Sequence, residues 1–430
     1  MKKKILICIH NYFFLEHYLQ DIDQLNKDFD ITIITSNYLI KDQKNVIEEI
    51  LKKTNIHNFY LVPFYVNDLE RNLRSIILSH FFLNKIKKKI NFDLFDLCIS
   101  DNKFFIWQKI ILSSFLNTKC IQIGVHSGSL PLELSIFEKL LQGENIFELI
   151  KKVHKFREIQ PMSRKKEKNF FQKFINIKKR FLDIYFDRYF LSLLFYQKNF
   201  NYKKYDLNIF ETNHFDYKIV FHHANYIFWN KLYGEDKKKV FLSKHVNNCN
   251  CKNTNKDKII FLSSILWEDE VEKISLQVNS ILKFVRKILI EKPHIKNLHI
   301  KHHPMENDLK IEIINKIFEK KFKDLISITF LNKHVSTQTT ECNYSLAFGM
   351  VSSVLVDFTN ACNNIEVYCL ESISTKELGE KYYLKLMNER ITFLNEKNNI
   401  INEKANKYKE ITSNIHKQNF PDLIRNIILS

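Results

Sequence analysis

Glycine and proline are scarce in this chain: there are 6 of each among 430 residues. Collagen-like repeats and flexible low-complexity linkers need many more of them, so both classes of protein are excluded. No run approaches the roughly 20 consecutive apolar residues that a membrane-spanning helix requires. Hydrophobic residues nevertheless make up 45% of the chain, which is enough for large cores. The length favours two domains or three.

The eight cysteines do not have the spacing of a metal site or a disulfide framework. Cys249 and Cys251 are closer together than a usual zinc pair, and no second pair follows at a suitable distance. Cys8, Cys98 and Cys369 lie inside apolar runs and are predicted to be reduced core residues. The pattern therefore indicates a reducing cytoplasm.

Positive charge is in excess, with a net charge of +18. Such a charge attracts nucleic acid, anionic lipid or phosphorylated substrates without choosing among them. Residues 151–204 hold 16 Lys/Arg and 4 Asp/Glu, a net of 16 − 4 = +12, with aromatic residues between the charges at helical spacing. This segment is either a basic arm for an anionic membrane surface or a helical insertion with solvated lysines. No RNP signature is present, so we expect no nucleic-acid partner.

Short apolar runs alternate with helical segments along most of the chain. Strands are predicted at residues 5–9, 31–36, 59–63, 94–100, 120–125, 217–221, 258–262, 298–301, 326–331, 344–348 and 365–370. The run at residues 5–9 is too short for a signal peptide and fits a first strand better. Strands joined by helices predict an α/β fold with parallel sheets covered on both faces.

The predicted organisation is two Rossmann-like βα domains that face a cleft. Residues 1–135 form the first domain, 136–215 a basic aromatic-rich helical insertion, 216–388 the second domain and 389–430 a helical tail. No Gly-x-Gly-x-x-Gly follows the first strand, which weakens a classical dinucleotide-binding interpretation. The layout matches two-domain nucleotide-sugar glycosyltransferases, whose cleft lies between the carboxyl edges of both sheets.

Two segments in the second domain have the chemistry of a phosphate site. The turn Lys301-His302-His303-Pro304 follows a predicted strand, and its imidazole and ammonium groups can donate hydrogen bonds to phosphate oxygens. Gly349 ends another strand, and Ser352 and Ser353 precede an apolar helix, where free amides and the helix dipole attract anions. The alternative for these serines is helix capping alone.

A third candidate segment, Ser263-Ser264, follows the strand at residues 258–262. Both hydroxyls could meet a donor phosphate. The acidic residues 268–270 that come next could equally serve only to favour the start of a helix.

Candidates for a catalytic base come from strand ends in the first domain. Asp101 follows one strand, and His126 lies in a glycine-containing loop after the next; His10, at the end of the first strand, is a third candidate. An imidazole in a loop that faces the cleft suits proton transfer near neutral pH. An ordinary turn residue remains the alternative for each.

His-Pro followed downstream by Ser-Ser resembles the bacterial sialyltransferases and polysialyltransferases, which have the GT-B architecture. The resemblance covers the C-terminal half and implies that His303, Ser352 and Ser353 contact the phosphate of a CMP-activated sugar. The family's acidic Asp/Glu-Asp/Glu-Gly motif, which supplies its base, is absent here. CDP-glycerol or teichoic-type phosphotransferases and UDP-sugar transferases share similar motifs and remain alternatives.

The resemblance implies an inverting transfer of a sialic-acid-like sugar from a CMP donor to a cell-surface glycan or glycolipid, such as lipooligosaccharide or capsule. The first domain would hold the acceptor. The residue order suggests neither a Ser-His-Asp nucleophile nor an Asp-x-Asp metal motif, so we expect no metal and no cofactor beyond the donor. His303 would also assist departure of the phosphate. The expected location is the cytoplasm, at the inner face of the membrane; a basic membrane- or nucleic-acid-binding protein is the non-enzymatic alternative.

Overall fold

The structure is a computed structural model that describes only part of the chain. The described residues are 2–9, 15, 18–36, 56, 58–62, 81–86, 88–101, 107–108, 111–112, 118–124, 215–223, 225–226, 230, 240–246, 256–263, 271–303, 306–333, 343–350, 352, 354–361, 364–371, 390–395, 400 and 416–430. The basic segment 151–204 lies outside them, so its predicted helical form stays a prediction.

The first sheet has eight strands in the order β14-β7-β6-β5-β4-β1-β2-β3. Its strands are β1 (Lys4–Ile9), β2 (Asp30–Ser36), β3 (Asn58–Val62), β4 (Leu97–Ser100), β5 (Lys119–Ile123), β6 (Tyr217–Val220), β7 (Val240–Lys244) and β14 (Gln418–Asn419). Helix α1 (Leu19–Asn26) follows β1, and a 3-10 turn (Phe92–Leu94) precedes β4. All the pairings are parallel.

The second sheet has six strands in the order β10-β9-β8-β11-β12-β13, again all parallel. Its strands are β8 (Lys258–Leu262), β9 (Asn297–Lys301), β10 (Ser327–Leu331), β11 (Leu346–Gly349), β12 (Glu366–Leu370) and β13 (Thr392–Leu394). Its helices are α2 (Val271–Glu291), α3 (Asp308–Phe322) and α4 (Val354–Ala361). The predicted α/β class with two parallel sheets is therefore confirmed.

Each sheet separates two hydrophobic cores, one on each face. Side chains of the central strands alternate between the two cores: Leu6 and Cys8 enter one, whereas Ile5, Ile7 and Ile9 enter the other. Parallel strands buried on both faces read as continuous apolar runs, which explains why the predicted strands overlap observed ones. Cys8, Cys98 and Cys369 are free thiols buried in these cores, as predicted.

The boundaries predicted for the second domain and the tail do not follow the sheets. We placed the strand at residues 217–221 in the second domain, but β6 pairs with β5 of the first sheet, and β7, which we did not predict, pairs with β6. The tail is not uniformly helical either, because β13 and β14 lie within it. An apolar run indicates a strand, but its sheet depends on pairing with residues far away in sequence.

The helix α5 (Phe420–Leu429) returns the chain to the first sheet after the second sheet is complete. Phe420, Leu423 and Ile424 pack into the core on one face of that sheet. Lys3 and Lys119 donate from Nζ to the carbonyls of Ile428 and Ile427, each at 2.9 Å. Cations at the carboxyl end of a helix satisfy its last carbonyls and oppose its dipole.

Gly349 of β11 pairs with Leu262 of β8 and leaves no room for a side chain. A Cβ added to this residue would lie 2.2 Å from the carbonyl oxygen of Leu262 and 3.1 Å from its carbonyl carbon. The obstacle is backbone, which cannot swing away as a flexible side chain would. The glycine therefore permits this pairing at the end of β11, and its role is steric.

We expect Gly349→Ala to lower the free energy of unfolding by about 2–3 kcal/mol, because the added methyl group overpacks a rigid contact. Urea unfolding monitored by circular dichroism measures this change. Gly124→Ala is the matched control, since the nearest atom to its Cβ would be the Val220 methyl Cγ1 at 3.3 Å, and the backbone atoms Ile219 O and Val220 Cα would lie at ordinary contact distances of 3.5 and 3.7 Å. Equal stability of the two variants would contradict the steric role of Gly349.

Candidate functional site

The second sheet changes its winding direction between β8 and β11. From β8 the chain adds β9 and β10 on one side, and then returns to add β11 and β12 on the other. In open parallel sheets such a reversal leaves a crevice beyond the carboxyl ends of the two strands, where ligands bind. Ser263 follows β8 and Ser352 follows β11, so both predicted segments lie at this reversal.

The turn after β9 holds its two histidines in different environments. His302 is buried, its Nε2 lies 2.7 Å from Asn315 Oδ1, and its ring is stacked on Phe330. His303 is half-buried, and its carbonyl oxygen accepts a hydrogen bond from the N–H of Glu306 at 3.0 Å. His302 therefore anchors the turn, and His303 is the more accessible of the two. Pro304 lies outside the described residues.

The Lys301 side chain forms hydrogen bonds to the backbone beyond the end of the neighbouring strand β10. Its Nζ donates to the carbonyl oxygens of Lys333 at 2.8 Å and Asn332 at 3.3 Å, both just beyond β10. We predicted a phosphate contact for Lys301. That contact stays a prediction; the observed hydrogen bonds hold the charge of Lys301 between β9 and β10, near the histidine turn.

Ser263 is buried and extends the backbone hydrogen bonding of the second sheet. Its N–H donates to the Lys301 carbonyl at 2.9 Å, which continues the ladder between β8 and β9, and the residue is buried. Ser352 is half-buried, and its carbonyl accepts from the N–H of Leu355 at 3.2 Å, which begins the first turn of α4. Ser264 and Ser353 lie outside the described residues.

Burial lowers the pKa of both imidazoles in the β9 turn. For His302, loss of water is the main cause, the Asn315 contact opposes it, and the positive charges of Lys301 and Lys333 lower the pKa further. For His303, burial acts first and the charge of Lys301 second. Both rings are thus neutral at pH 7, and an anion bound beside His303 would favour its protonated form.

The first sheet has its own reversal, between β1 and β4. Asp101 lies there: its N–H donates to the Cys8 carbonyl at 3.3 Å, and its carboxylate accepts from Gln108 Nε2 at 2.9 Å. The residue is buried. The structure thus places Asp101 at the predicted edge but in a closed network. His126 and His10 lie outside the described residues.

Two further groups at this edge were missed from the sequence. His222 and His223 follow Phe221, the residue after β6, and are buried. A histidine pair after an apolar run, like the one after β9, is a signal that could have revealed them. His245 follows β7, and its Nδ1 lies 2.6 Å from Oδ2 of Asp21 on α1. Residues 224 positions apart give no sequence signal for such a contact.

The expectation of no Asp-x-Asp spacing was wrong, because Asp21-Ile22-Asp23 and Asp28-Phe29-Asp30 both have it. The first of these lies inside helix α1. Helical residues two positions apart point to different sides, and Asp21 is already bonded to His245 and to the N–H of Val246 at 2.7 Å. Within the described ranges, no group of three or more His, Cys, Asp or Glu side chains could hold a metal ion.

Tyr18 lies at the carboxyl edge of the first sheet, in contact with the residue that follows β5. It is buried, and its hydroxyl donates to the Gly124 carbonyl at 3.2 Å, beyond the end of β5. Burial raises its pKa well above the usual value, and the negative charges of Asp101, Asp21 and Asp357 raise it further. Asp357 lies in the first turn of α4. The beginning of α4 is therefore within electrostatic range of the carboxyl edge of the first sheet.

A cavity of about 430 Å³ opens on the α2 face of the second sheet. Its lining includes Met350 and Leu370, at the ends of β11 and β12, and Lys283 and Arg286 on α2. The volume suits a small ligand. Met350 is two residues before Ser352, whereas Leu355, Val356 and Phe358 of α4 belong to the core on the other face of this sheet.

Comparison with known proteins gives structural likenesses at low sequence identity. No family model matches the chain, and no curated protein matches it. A wall teichoic acid polymerase is similar at TM-score 0.48 and 12% identity, covering 99% of this chain and 88% of the other. A sialyltransferase from Photobacterium damselae is similar at TM-score 0.42 and 14% identity, covering 91% and 99%. A UDP-N-acetylglucosamine 2-epimerase from Rickettsia bellii is similar at TM-score 0.45 and 8% identity, covering 100% and 96%.

At these values the matches say nothing about substrate, and the functional inference rests on this chain's own residues. Among the helices of the described residues, none combines the length and apolar character needed to cross a membrane.

The buried histidines of the β9 turn make stability depend on pH. Their folded-state pKa lies below the usual 6.5, so the unfolded chain binds more protons as pH falls through this value. We expect the free energy of unfolding to fall between pH 7.5 and 5.5, by at most about 1.4 kcal/mol per pH unit for each histidine.

Urea unfolding at both pH values measures this dependence, and His302→Gln should reduce the difference between them. The comparison is internal to each protein, so a general loss of stability in the variant does not affect it. An unchanged difference in His302→Gln would contradict the assignment.

Proposed function

We propose that this protein is an inverting glycosyltransferase that moves a sialic-acid-like sugar from a CMP-activated donor to a cell-surface glycan. The observation that carries the proposal is the convergence of the histidine turn after β9 and the serine-bearing start of α4. They follow strands that flank β8 on its two sides, at the reversal of the second sheet. The resemblance of His-Pro and Ser-Ser to the sialyltransferases supplies the donor class.

The start of α4 is suited to hold the donor phosphate. Amides that have no partner within the helix point toward its beginning, where the helix dipole favours a negative charge. Ser352 adds a hydroxyl, and Ser353 is expected to add another. The bond between the sugar and the phosphate breaks as the acceptor attacks, and charge then accumulates on the phosphate that these groups contact.

His303 is proposed to complete the phosphate site from the opposite side of β8. Its ring is neutral in the free protein, because burial and Lys301 lower its pKa. The negative charge of the phosphate raises the pKa of His303. We therefore expect the protein to take up a proton when the donor binds below pH 7. A positively charged imidazole then stabilises the departing CMP.

The nucleoside is proposed to occupy the cavity beside Met350. Met350 lines this cavity at the end of β11, and Ser352 of the proposed phosphate site follows two residues later along the chain. The first sheet then provides the acceptor side, with Asp101 and the predicted base His126 as candidates from the sequence.

Replacement of the phosphate contacts should lower turnover without unfolding the protein. We expect Ser352→Ala to reduce kcat/KM for CMP-sialic acid by about 10–100-fold, and His303→Ala by about 100–1000-fold, because each removes a donor that strengthens in the transition state. Released CMP measures the rate, and activity should persist in EDTA. Thermal-shift titration should rank CMP above CDP and UDP.

Ser345→Ala is the matched control. Ser345 lies at the opposite, amino end of β11, where its hydroxyl donates to the Lys258 carbonyl at 3.1 Å, so its loss should leave turnover unchanged. Turnover of CDP-glycerol or a UDP-sugar in place of any CMP-sugar would contradict the donor class, and no turnover of any of them would contradict the enzyme.

The basic segment 151–204 is proposed to bind an anionic membrane surface, where a glycolipid acceptor would be found. The support is its charge of +12 with interleaved aromatic residues. Vesicles with anionic lipid should carry the full chain upward in flotation, and replacement of Arg164, Lys165 and Lys166 by Gln should weaken this. Each removed charge is worth about 1 kcal/mol at low salt. Equal flotation with neutral vesicles would contradict the electrostatic contact.

A further inference from the structure

We propose that His245 is the base that deprotonates the acceptor hydroxyl and that Asp21 positions it. The inference rests on the function proposed above and adds a residue pair that the sequence did not reveal. Where the resemblance implies a carboxylate as the base, this chain presents an imidazole held by a carboxylate.

The Asp21 carboxylate is fixed from both sides. Oδ2 lies 2.6 Å from His245 Nδ1, Oδ1 accepts from the N–H of Val246 at 2.7 Å, and the side chain is 1% exposed. We assign the His245 proton to Nδ1, because the Asp21 carboxylate already accepts a hydrogen bond on its other oxygen and is suited to accept one from this ring. In the neutral ring, Nε2 then has the lone pair that a base requires.

Two aromatic side chains fix the plane of the His245 ring. Phe221, beyond β6, is stacked on it with centroids 4.2 Å apart and an interplanar angle of 5°. Tyr18 meets it edge-on at 5.2 Å, and Phe420 of α5 packs against both Phe221 and Tyr18. The orientation of Nε2 is thus set before a substrate binds, which is what proton transfer requires.

The pair lies at the carboxyl edge of the first sheet. His245 directly follows β7 and Asp21 lies in the first turn of α1, so both are at the carboxyl edge. Tyr18, in contact with His245, is within electrostatic range of Asp357 in the first turn of α4. An acceptor at this edge would lie between His245 and the proposed phosphate site.

His245 is more accessible than the other bases at this edge. Its side chain is 17% exposed, whereas Asp101, His222 and His223 are 5%, 2% and 7% exposed. Asp101 also accepts a hydrogen bond from Gln108. Among the described residues of this edge, His245 combines a carboxylate partner with a partly exposed side chain.

The proposed transfer takes place in a single displacement at the anomeric carbon. The acceptor O–H bond breaks and its proton passes to Nε2, while the acceptor oxygen forms a bond to the anomeric carbon. The bond from that carbon to the donor phosphate breaks, and its electron pair leaves with CMP. The Asp21 charge stabilises the imidazolium, which then releases the proton to water.

Removal and replacement of the imidazole tests the inference. We expect His245→Ala to lower kcat for transfer to acceptor by about 100–10,000-fold, with CMP affinity unchanged. The slot between Phe221 and Tyr18 that this substitution opens should bind free imidazole, and imidazole in the buffer should restore a measurable part of kcat. A purely structural role would not give such rescue.

Asp21→Asn should lower kcat by about 10–100-fold, since it keeps the shape but removes the charge that stabilises the imidazolium. Asp23→Asn is the matched control on the same helix and should leave kcat unchanged. Should His245→Ala fail to fold, His245→Asn keeps a side chain that can donate to Asp21 and should show the same loss.

Three outcomes separate this inference from the proposed function. In the first outcome, the unmodified protein transfers the sugar and a folded His245 variant does so with the same kcat. This result would overturn the role of His245 and leave the proposed function intact. Loss of kcat without imidazole rescue, in a variant with impaired CMP binding, would also overturn it in favour of a structural role. Absence of both CMP binding and transfer in the unmodified protein would overturn the proposed function, and this inference with it.

Discussion

Parallel strand pairing is the constraint on which the candidate site depends. Strands that run in one direction must be joined by crossovers, so their carboxyl ends share one edge of the sheet. Residues that are far apart in sequence, such as His303 and Ser352, therefore follow strands that end at the same edge. Gly349 lets β11 lie close to the β8 backbone at that edge, and the site is built around this contact.

The carboxyl edges of the two sheets differ in charge. This difference suits a reaction in which the acceptor loses a proton on one side and the donor loses a phosphate on the other. The second sheet presents neutral imidazoles and the positive end of a helix dipole. The first presents carboxylates, Asp21 and Asp101, beside histidines. The pKa of the buried Tyr18 hydroxyl is raised by negative charges from both domains, Asp21 and Asp101 in the first and Asp357 in the second.

The strands were predictable where burial on both faces produced a continuous apolar run, as in β1 and β8. β7 and β14 were not: β7 ends in Ser243 and Lys244, and β14 is only two residues long. The sheet that received β6 could not be predicted, because pairing depends on distant residues. The histidine turn was likewise recognised from its sequence. Two contacts could not be predicted because they arise only from folding: the hydrogen bonds of Lys301 to the residues after β10, and the contact between Asp21 and His245.

The return of α5 to the first sheet has a consequence for the order of folding. β14 and α5 come after all the strands of the second sheet along the chain, so during synthesis the first sheet remains without this helix until the second sheet has been made. Until then, the face that receives Phe420, Leu423 and Ile424 is an uncovered apolar surface, which makes an incomplete chain prone to aggregation. Phe420 also packs against Phe221 and Tyr18, the two rings that contact His245, so the surroundings of the proposed base are complete only after α5 has been made.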